Sequence, residues 1–445
     1  MSFSCRRAAV GWFLALSLPV LGAAAPPVAE PSVELTLQEC VTLAVRNNLV
    51  VRLAKAGTAA ARGRVLQSAS SLLPRLTGGM SQVRTYREDL AALGFSGGGF
   101  PDLLGPFNTF DARIRLVAEV FDLPSILRLR SADADDRAAA MEERLAVEQV
   151  AATASLAYVE LFRARQAIES AQADVELSLS LRQLAEDKKH AGTAAGIDVA
   201  RAKTREAEGK LALLEAHNVA REAEVRLQRA VGLPLARGVV LKDAPGFAPA
   251  EPPQAEAALQ AARADRWELR IAEERFSSAR AQWRAEQSQR LPAVALTGDV
   301  GLSGPDPDSR ARTTGSAGVA LQLPIFTGGD IAGRVREADS RRAAAEVRLA
   351  DLRAQVEEDV RLALIDLGDA VERVDTASEV ARLAEDELAM ARDRFLAGVA
   401  DNVELLNSQA ALTHARDARV SALARYQAAR ISLALALGRM KDFTF

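Results

Sequence analysis

The sequence predicts a mostly α-helical protein with a small β part, built from two copies of a helix–strand pair–helix–helix unit. Three observations support this class. Landmark residues recur about 206 positions apart, long proline-free segments carry apolar residues at helical spacing, and shorter segments before them alternate between apolar and polar residues. A long repeat that contains both periods in each copy indicates a duplicated supersecondary unit.

The duplication is clearest where the predicted helices are interrupted. Gly192 in "AGTAAGIDVARAK" corresponds to Gly398 in "AGVADNVELLNSQ", and Asp198 corresponds to Glu404 at the same offset. Glycine between two helical segments marks a helix end. The chain is therefore expected to make the same helical turn once in each copy.

The chain is predicted to consist of a leader, two repeats and a linker. The expected bounds are 1–25 for a signal peptide, 26–240 for the first repeat, 241–253 for the linker and 254–445 for the second repeat. Strands are expected at about 75–121 and 293–323, and helices at about 36–73, 125–231, 254–290 and 328–437.

The leader has the pattern of a secretory signal. Arg6 and Arg7 precede an apolar run that ends in three alanines before Pro26. A transmembrane anchor is the alternative, because the run approaches the length needed to span a bilayer. Cleavage would remove Cys5 and leave Cys40 as the only cysteine, so no intramolecular disulfide is expected in an exported, oxidising setting.

The long helices are predicted from the absence of proline and from a continuous apolar stripe. No proline occurs from Ser125 to Val231 or from Ile325 to the C-terminus. In the second copy, spacings of three and four residues alternate and average about 3.6 residues per turn. The stripe consists of Ala345, Leu349, Leu352, Val356, Val360, Ala363, Leu367, Val371 and Val374. A free-standing coiled coil with strict heptads is the alternative.

The segments in front of the long helices alternate with a period of two. Between Ala112 and Val120 the even-numbered residues are apolar, and Arg113 lies on the other face. The segments 294–302 and 317–323 alternate in the same way. Strands with one apolar and one polar face suit the wall of a transmembrane β-barrel. A half-buried sheet of a soluble domain is the alternative.

The predicted lengths indicate a layer of four helical columns attached to four strands. At 1.5 Å per residue, helices over 125–190 and 328–397 are each roughly 100 Å long, and two shorter helices per copy sum to nearly that length. Four strands cannot close a barrel, and an open edge cannot face lipid, so the chain must oligomerise. Two copies would give eight strands with a filled interior, and three would give twelve with a lumen.

Several segments together resemble the outer membrane factor family, the TolC-like efflux proteins. They are "LTLQECVTLAVRNN", "LLPRLTG", "LQLPIFTGGDIAGRV", "FLAGVADNVELLNSQAALTHA" and "LALALGRM". The resemblance implies a homotrimer with a 12-stranded β-barrel in the outer membrane, continued by a long periplasmic α-helical barrel. It also implies docking to a periplasmic adaptor protein and an inner-membrane transporter, as in drug efflux or type I secretion.

The resemblance further implies functional residues at the two helical turns. Glu404 matches an acidic residue that narrows the pore, Asp198 is its counterpart in the first copy, and Asn407 stands where a second acidic ring is expected. The predicted turn and adaptor-contact residues are Gly192, Gly196, Gly398, Phe395 and Ala400. Phe395 and Ala400 replace a gate-holding tyrosine and arginine, so closure must be achieved differently. The alternative for Glu404 is a capping box with Asp401.

No catalytic or metal-binding constellation is predicted. The three histidines are scattered, and neither a nucleophile elbow nor a phosphate-binding loop occurs. A net charge of −3 gives no electrostatic reason to expect nucleic acid. We therefore predict a passive, non-enzymatic exit duct in the outer membrane, without cofactor. A periplasmic coiled-coil adaptor or a structural envelope protein is the alternative.

Overall fold

The computed structural model describes residues 33–89, 103–235, 237–249, 253–308, 310–440 and 443–444. The predicted signal peptide, 1–25, lies outside the described residues, as does part of the predicted linker, 250–252. Helices account for most of the rest.

The helices follow the order expected of a duplicated unit. They are α1 Leu37–Asn47, α2 Leu49–Ser70, α3 Leu123–His190, α4 Gly196–Val231, α5 Ala255–Asp265, α6 Trp267–Ser288, α7 Asp330–Leu396 and α8 Asn402–Ala436. The strands are β1 Val33–Leu35, β2 Arg75–Thr85, β3 Glu88–Asp89, β4 Leu103–Leu104, β5 Phe107–Phe121, β6 Val239–Leu241, β7 Ala293–Gly304 and β8 Arg312–Gln322. The predicted fold class, mostly helical with a small β part, is confirmed.

Four long strands form one antiparallel sheet in the order β2-β5-β7-β8. The pairing of β5 with β7 joins the two copies, because β5 belongs to the first and β7 to the second. The outer edges of β2 and β8 have no partner strand within the described part of the chain. The sheet is therefore open on both sides.

The two faces of this sheet differ in polarity, as the alternation predicts. Ile114 pairs with Gly78 on one side and Val300 on the other, and both large side chains are exposed. On the opposite face, Arg113 binds Asp299 at 3.0 Å and also contacts Asp111. One face is thus apolar and uncovered, and the other carries ion pairs.

The helices form a layer of four columns below the sheet. Helix α3 is central, with α2 and α4 on one side and α6 and α8 on the other, and α7 packs beyond α6 and α8. One edge of the layer is therefore made by α2 and α4, and the other edge by α7. Part of α3 is apolar enough to span a membrane by composition, but 56% of that window is buried inside the chain.

The apolar stripe of α7 forms the largest core cluster of the second copy. Val356, Val360 and Leu367 are almost fully buried against α5 and α8. Small alanines line the same contacts, which lets the columns approach closely along their length. The predicted stripe is confirmed as the packing face of this helix.

The predicted helical segments 36–73 and 254–290 are each divided into two helices, and the sequence patterns did not predict a parallel strand pair. The predicted helical segment 36–73 consists of α1 and α2, because Asn48 ends the first helix and caps the second through its side chain, with Val50 N at 2.8 Å from Oδ1. The strands β1 and β6 pair across more than two hundred residues. Such short, non-local strands leave little periodic signal.

The thiol of Cys40 is expected to be unreactive in the folded protein. Cys40 is completely buried in the cluster around α1 and α3, and burial raises the pKa of its thiol to about 12. Because the thiolate is the nucleophile, its reaction with Ellman's reagent at pH 8 should be at least roughly a hundredfold slower than in the denatured chain. The measurement uses Cys5→Ser protein; equal rates in both states would contradict the burial.

Candidate functional site

The predicted site lies at the two turns that end the long helices, at the end of the layer remote from the sheet. Helix α3 turns into α4, and α7 turns into α8, over five residues each. Gly192 and Gly398 have φ of +78° and +76°, the left-handed conformation that glycine adopts most readily. In both turns an N–H reaches back to a helix carbonyl, from Thr193 to Lys188 and from Val399 to Arg394. The two turns share one C-cap geometry.

The acidic residues that follow the two glycines have different partners. Asp198 caps α4, since its Oδ2 accepts a hydrogen bond from Ala195 N at 3.1 Å. In the second turn the N-cap residue Asp401 is the acceptor, and its Oδ1 lies 3.0 Å from Glu404 N. The carboxylate of Glu404 instead binds Arg394, at 2.9 Å between Nε and Oε1. The complete capping box, which was the alternative for Glu404, is not formed.

The predicted constriction residues all remain accessible to some degree. The Glu404 side chain is 41% exposed and that of Asp198 is 20% exposed. Asn407 is exposed on the same helix, one turn beyond Glu404. No ion pair or hydrogen bond joins the two carboxylate side chains, and Glu404 instead binds a residue of the preceding helix.

The glycine and alanine positions of the turns have unequal roles. Gly196 is the first residue of α4, and a side chain there would meet no atom within 4 Å. Ala400 is half-buried, and its N–H lies 3.3 Å from the carbonyl oxygen of Arg394. The turn geometry therefore depends on Gly192 and Gly398 more than on these two residues.

Phe395 joins the two helical hairpins through its ring and its backbone. The Lys188 ammonium of the first hairpin lies 4.2 Å from the ring centroid and also donates a hydrogen bond to the Phe395 carbonyl. A cation over an aromatic face is attracted by the ring quadrupole. Nearby, Asn402 Nδ2 donates to the backbone oxygen of Asp198 at 3.0 Å. The turn of one hairpin is thus attached to that of the other.

A buried polar cluster connects the hairpins farther from the turns. Asp174 Oδ1 accepts hydrogen bonds from Gln409 Nε2 at 3.2 Å and from Thr413 Oγ1 at 2.7 Å. Gln409 Nε2 also donates to Ser178 Oγ at 2.6 Å. Arg205 approaches the other Asp174 oxygen at 3.6 Å. We call these five residues the inter-hairpin cluster; it joins α3, α4 and α8.

One polar residue in the sequence could have indicated this cluster, although the apolar periodicity of α8 alone does not reveal it. Gln409 lies on the apolar side of α8, between the buried residues Leu405 and Leu412. A buried amide requires partners. Next to the cluster, burial raises the pKa of the Asp417 carboxyl, with Asp174 adding to the effect and His414 opposing it.

Both turns carry exposed apolar side chains. Ile197 of the first turn and Leu396 and Val399 of the second are well exposed. Within the described ranges, no group of three or more His, Cys, Asp or Glu side chains could hold a metal ion.

Comparisons with known proteins agree on the fold. Residues 258–439 match the family model described as outer membrane efflux protein. The outer membrane channel CmeC of Campylobacter jejuni superposes with a TM-score of 0.82 at 19% identity, covering 91% of this chain and 85% of that chain. The outer membrane protein VceC of Vibrio cholerae gives 0.80 at 20% identity, covering 90% and 96%. A comparison with curated sequences gave no match.

A further solved structure of the same architecture is the open state of the MtrE outer membrane channel of Neisseria gonorrhoeae. It superposes with a TM-score of 0.76 at 21% identity, covering 90% of this chain and 88% of that chain. The similarity spans both copies, whereas the family model covers the second. Together they confirm the resemblance that the sequence segments indicated.

Proposed function

We propose, from the premise that this chain has the fold and the family domain of the TolC-like outer membrane efflux proteins, that three copies form a passive exit duct. The duct crosses the outer membrane as a β-barrel and the periplasm as a helical tube. The observation that carries this proposal is the open four-stranded sheet, apolar on one face, that continues directly into helices of 67 and 68 residues.

The edges of the sheet support assembly with other copies. An unpaired strand edge cannot face lipid, because each N–H and C=O group would lose its hydrogen-bond partner. Pairing β8 of one copy with β2 of the next would close the sheet. Two copies would fill the interior with side chains, and three leave a passage. We therefore favour a homotrimer with twelve strands.

The edges of the helical layer support the same arrangement. Helix α7 has a second apolar stripe on the side opposite its packing face: Ile365, which is 65% exposed, follows the buried Val356 by nine residues, or two and a half turns. The stripe consists of Val347, Leu362, Ile365, Val380, Leu383 and Met390. At the other edge, α2 and α4 expose Leu53, Leu66, Leu211 and Leu214. A neighbouring copy would cover both surfaces.

The turns would form the periplasmic mouth of this duct. Three copies bring six turns together, and Glu404 from each copy would surround the axis. The Lys188–Phe395 contact, the Asn402–Asp198 contact and the inter-hairpin cluster would hold the second hairpin against the first. This replaces the polar links that Phe395 and Ala400 cannot make.

A passive duct requires partner proteins that supply energy and cargo. We propose that the exposed apolar residues of the turns contact a periplasmic adaptor protein, and that an inner-membrane transporter supplies the energy and selects the cargo. The chain itself would have no enzymatic activity. Its contribution is a gated, solvent-filled path in the outer membrane.

Glu404 and Arg394 are expected to have opposite effects on ion selectivity. A ring of carboxylates favours cations, and the paired guanidinium offsets that charge. Glu404→Ala should therefore reduce the cation preference in planar bilayers, whereas Arg394→Ala should increase it. The pair is half-exposed, so its loss should cost at most about 1 kcal/mol of stability. Reversal potentials that are unchanged in both variants would contradict the ring.

The proposed duct is tested by membrane fractionation. The protein should be recovered with the outer membrane and run as a trimer that dissociates on heating. A soluble monomer, or one in the periplasmic fraction, would favour the adaptor or structural envelope alternative and refute the duct.

A further inference from the structure

A basic groove lies where the helical layer joins the sheet. It runs between α3 and α6, has a volume of about 300 Å³, and is lined by Leu127, Arg130, Asp133, Arg137, Ser277, Arg280, Ala281 and Arg284. We call it the arginine groove. Four guanidinium groups line it, and Asp133 is the only carboxylate among its lining residues.

Carboxylates offset only part of the positive charge in this groove, because Glu274, Asp133 and Asp136 all act on Arg137. Arg137 binds Glu274 at 2.8 Å. Within the described residues, Arg130, Arg280 and Arg284 have no ion pair or hydrogen bond, and all three are exposed. Like charges that converge on one groove repel one another, and a bound anion would relieve this repulsion. Guanidinium groups match phosphate oxygens in geometry and charge.

The groove lies at the depth of lipid headgroups if the sheet is in the membrane. Arg284 is four residues, or about 6 Å, from the end of α6, and Arg130 is seven residues, or about 10 Å, from the start of α3. The headgroup region extends about 5 to 8 Å beyond the hydrocarbon on each side. The long arginine side chains can cover the remaining distance.

A collar of exposed apolar residues surrounds the junction between strands and helices. Its members are Leu73, Phe121, Leu291, Leu323, Ile325 and Phe326, and the last two are 92% and 88% exposed. Exposed apolar side chains of this size call for an apolar environment. The hydrocarbon therefore extends to the ends of the strands, and the arginine groove begins immediately beyond it. The acyl chains of a phospholipid would contact the apolar collar, and its phosphate would contact the arginine groove.

The groove opens on the outer side of the helical layer. Asp133 precedes Tyr158 by 25 residues, close to seven full turns, so both lie on one side of α3. Tyr158 binds the backbone of Asp243, in the segment after β6, and Leu35 of β1. The strands β1 and β6 and the segment after β6 would block the passage if they lay inside the tube. The groove on the same side therefore faces the periplasm and the lipid.

We propose that the arginine groove binds the phosphate of an anionic phospholipid in the inner leaflet of the outer membrane. This inference rests on the proposed function, because it requires the sheet to span the membrane. The lipid would act as a fixed partner at the junction, and its single negative charge would reduce the repulsion among the three unpaired arginines of each copy.

The test compares spin-labelled phosphatidylglycerol with spin-labelled phosphatidylcholine in vesicles that contain the purified protein. The wild type should immobilise the anionic lipid preferentially. Arg130→Gln/Arg280→Gln/Arg284→Gln should lower this preference at least about fivefold, the factor that a single basic residue contributes near an anionic surface. Arg348→Gln/Arg392→Gln/Arg419→Gln, which removes three exposed arginines elsewhere, is the matched control and should retain the preference. An equal loss in both variants, or none in the groove variant, would overturn the proposal.

Two further measurements distinguish lipid binding from misfolding and from a free-anion site. Asp133→Asn removes the only carboxylate of the groove and should increase the preference, an effect that misfolding would not produce; no increase would count against the proposal. Inorganic phosphate should displace the lipid no better than chloride of equal ionic strength. Stronger displacement by phosphate would indicate a free-anion site instead. A wild-type protein that forms an intact, conducting trimer but shows no preference for the anionic lipid refutes this inference alone, whereas absence of a membrane trimer refutes the duct.

Discussion

Replacing Leu362 and Ile365 of α7 by aspartate is expected to leave the protein monomeric. Both side chains belong to the exposed stripe that a neighbouring copy would cover. Leu362 is 52% exposed and Ile365 is 65% exposed, so losing the burial of these exposed parts should cost about 2 to 3.5 kcal/mol per interface, roughly 20- to 400-fold in each contact. Burying two unpaired carboxylates would add several kcal/mol. Light scattering of the detergent-solubilised variant should give the mass of one chain.

The control for this variant is Leu362→Ala/Ile365→Ala, which shortens the side chains but keeps the surface apolar. It should retain a trimer that dissociates at lower temperature. Leu362 and Ile365 do not belong to the core of their own chain, so the far-ultraviolet circular dichroism of both variants should equal that of the wild type. A trimer that tolerates the two aspartates would place the subunit contact elsewhere.

Breaking the contacts between the two hairpins is expected to raise the resting conductance several-fold. Asp174→Ala removes the acceptor shared by Gln409 and Thr413 and leaves Arg205 with Glu208 and Thr413 as its partners. Leaving a buried donor without its acceptor costs about 1 to 3 kcal/mol. Lys188→Ala removes the contact with Phe395, for about 0.5 to 2 kcal/mol more. Single-channel recordings of the double variant should show a wider open path.

The matched control is Asp187→Ala/Lys189→Ala, in the same turn region of α3. It removes the same charges from exposed side chains that make no contact with the second hairpin in the described structure. Its conductance should equal that of the wild type. Equal conductance in both double variants would mean that the inter-hairpin cluster does not restrain the mouth.

The repeat, the helical columns and the polarity of the sheet could be predicted because each depends on a local period. Val356 and Ile365 show the limit of that approach. Both fit an apolar helix, but only the packing of α7 against α8 reveals which stripe is buried within the chain and which is left for a neighbour.

The contacts at and near the two turns could not be predicted because they join residues that are distant in the sequence. Gln409 and Asp174 are separated by 235 residues, and no local pattern in either helix indicates their hydrogen bond. The role of Glu404 was ambiguous for a similar reason. Its sequence context fits a cap, and the outcome is decided by Asp401 taking the cap and by Arg394 on the preceding helix.

Cryo-electron microscopy of the protein in lipid nanodiscs would show whether one chain supplies a third of a closed tube. We expect three copies around one axis, with β8 of each copy hydrogen-bonded to β2 of the next and α7 against the α2–α4 edge of its neighbour. A particle in which the four strands of one chain close on themselves, or in which these edges remain uncovered, would contradict it.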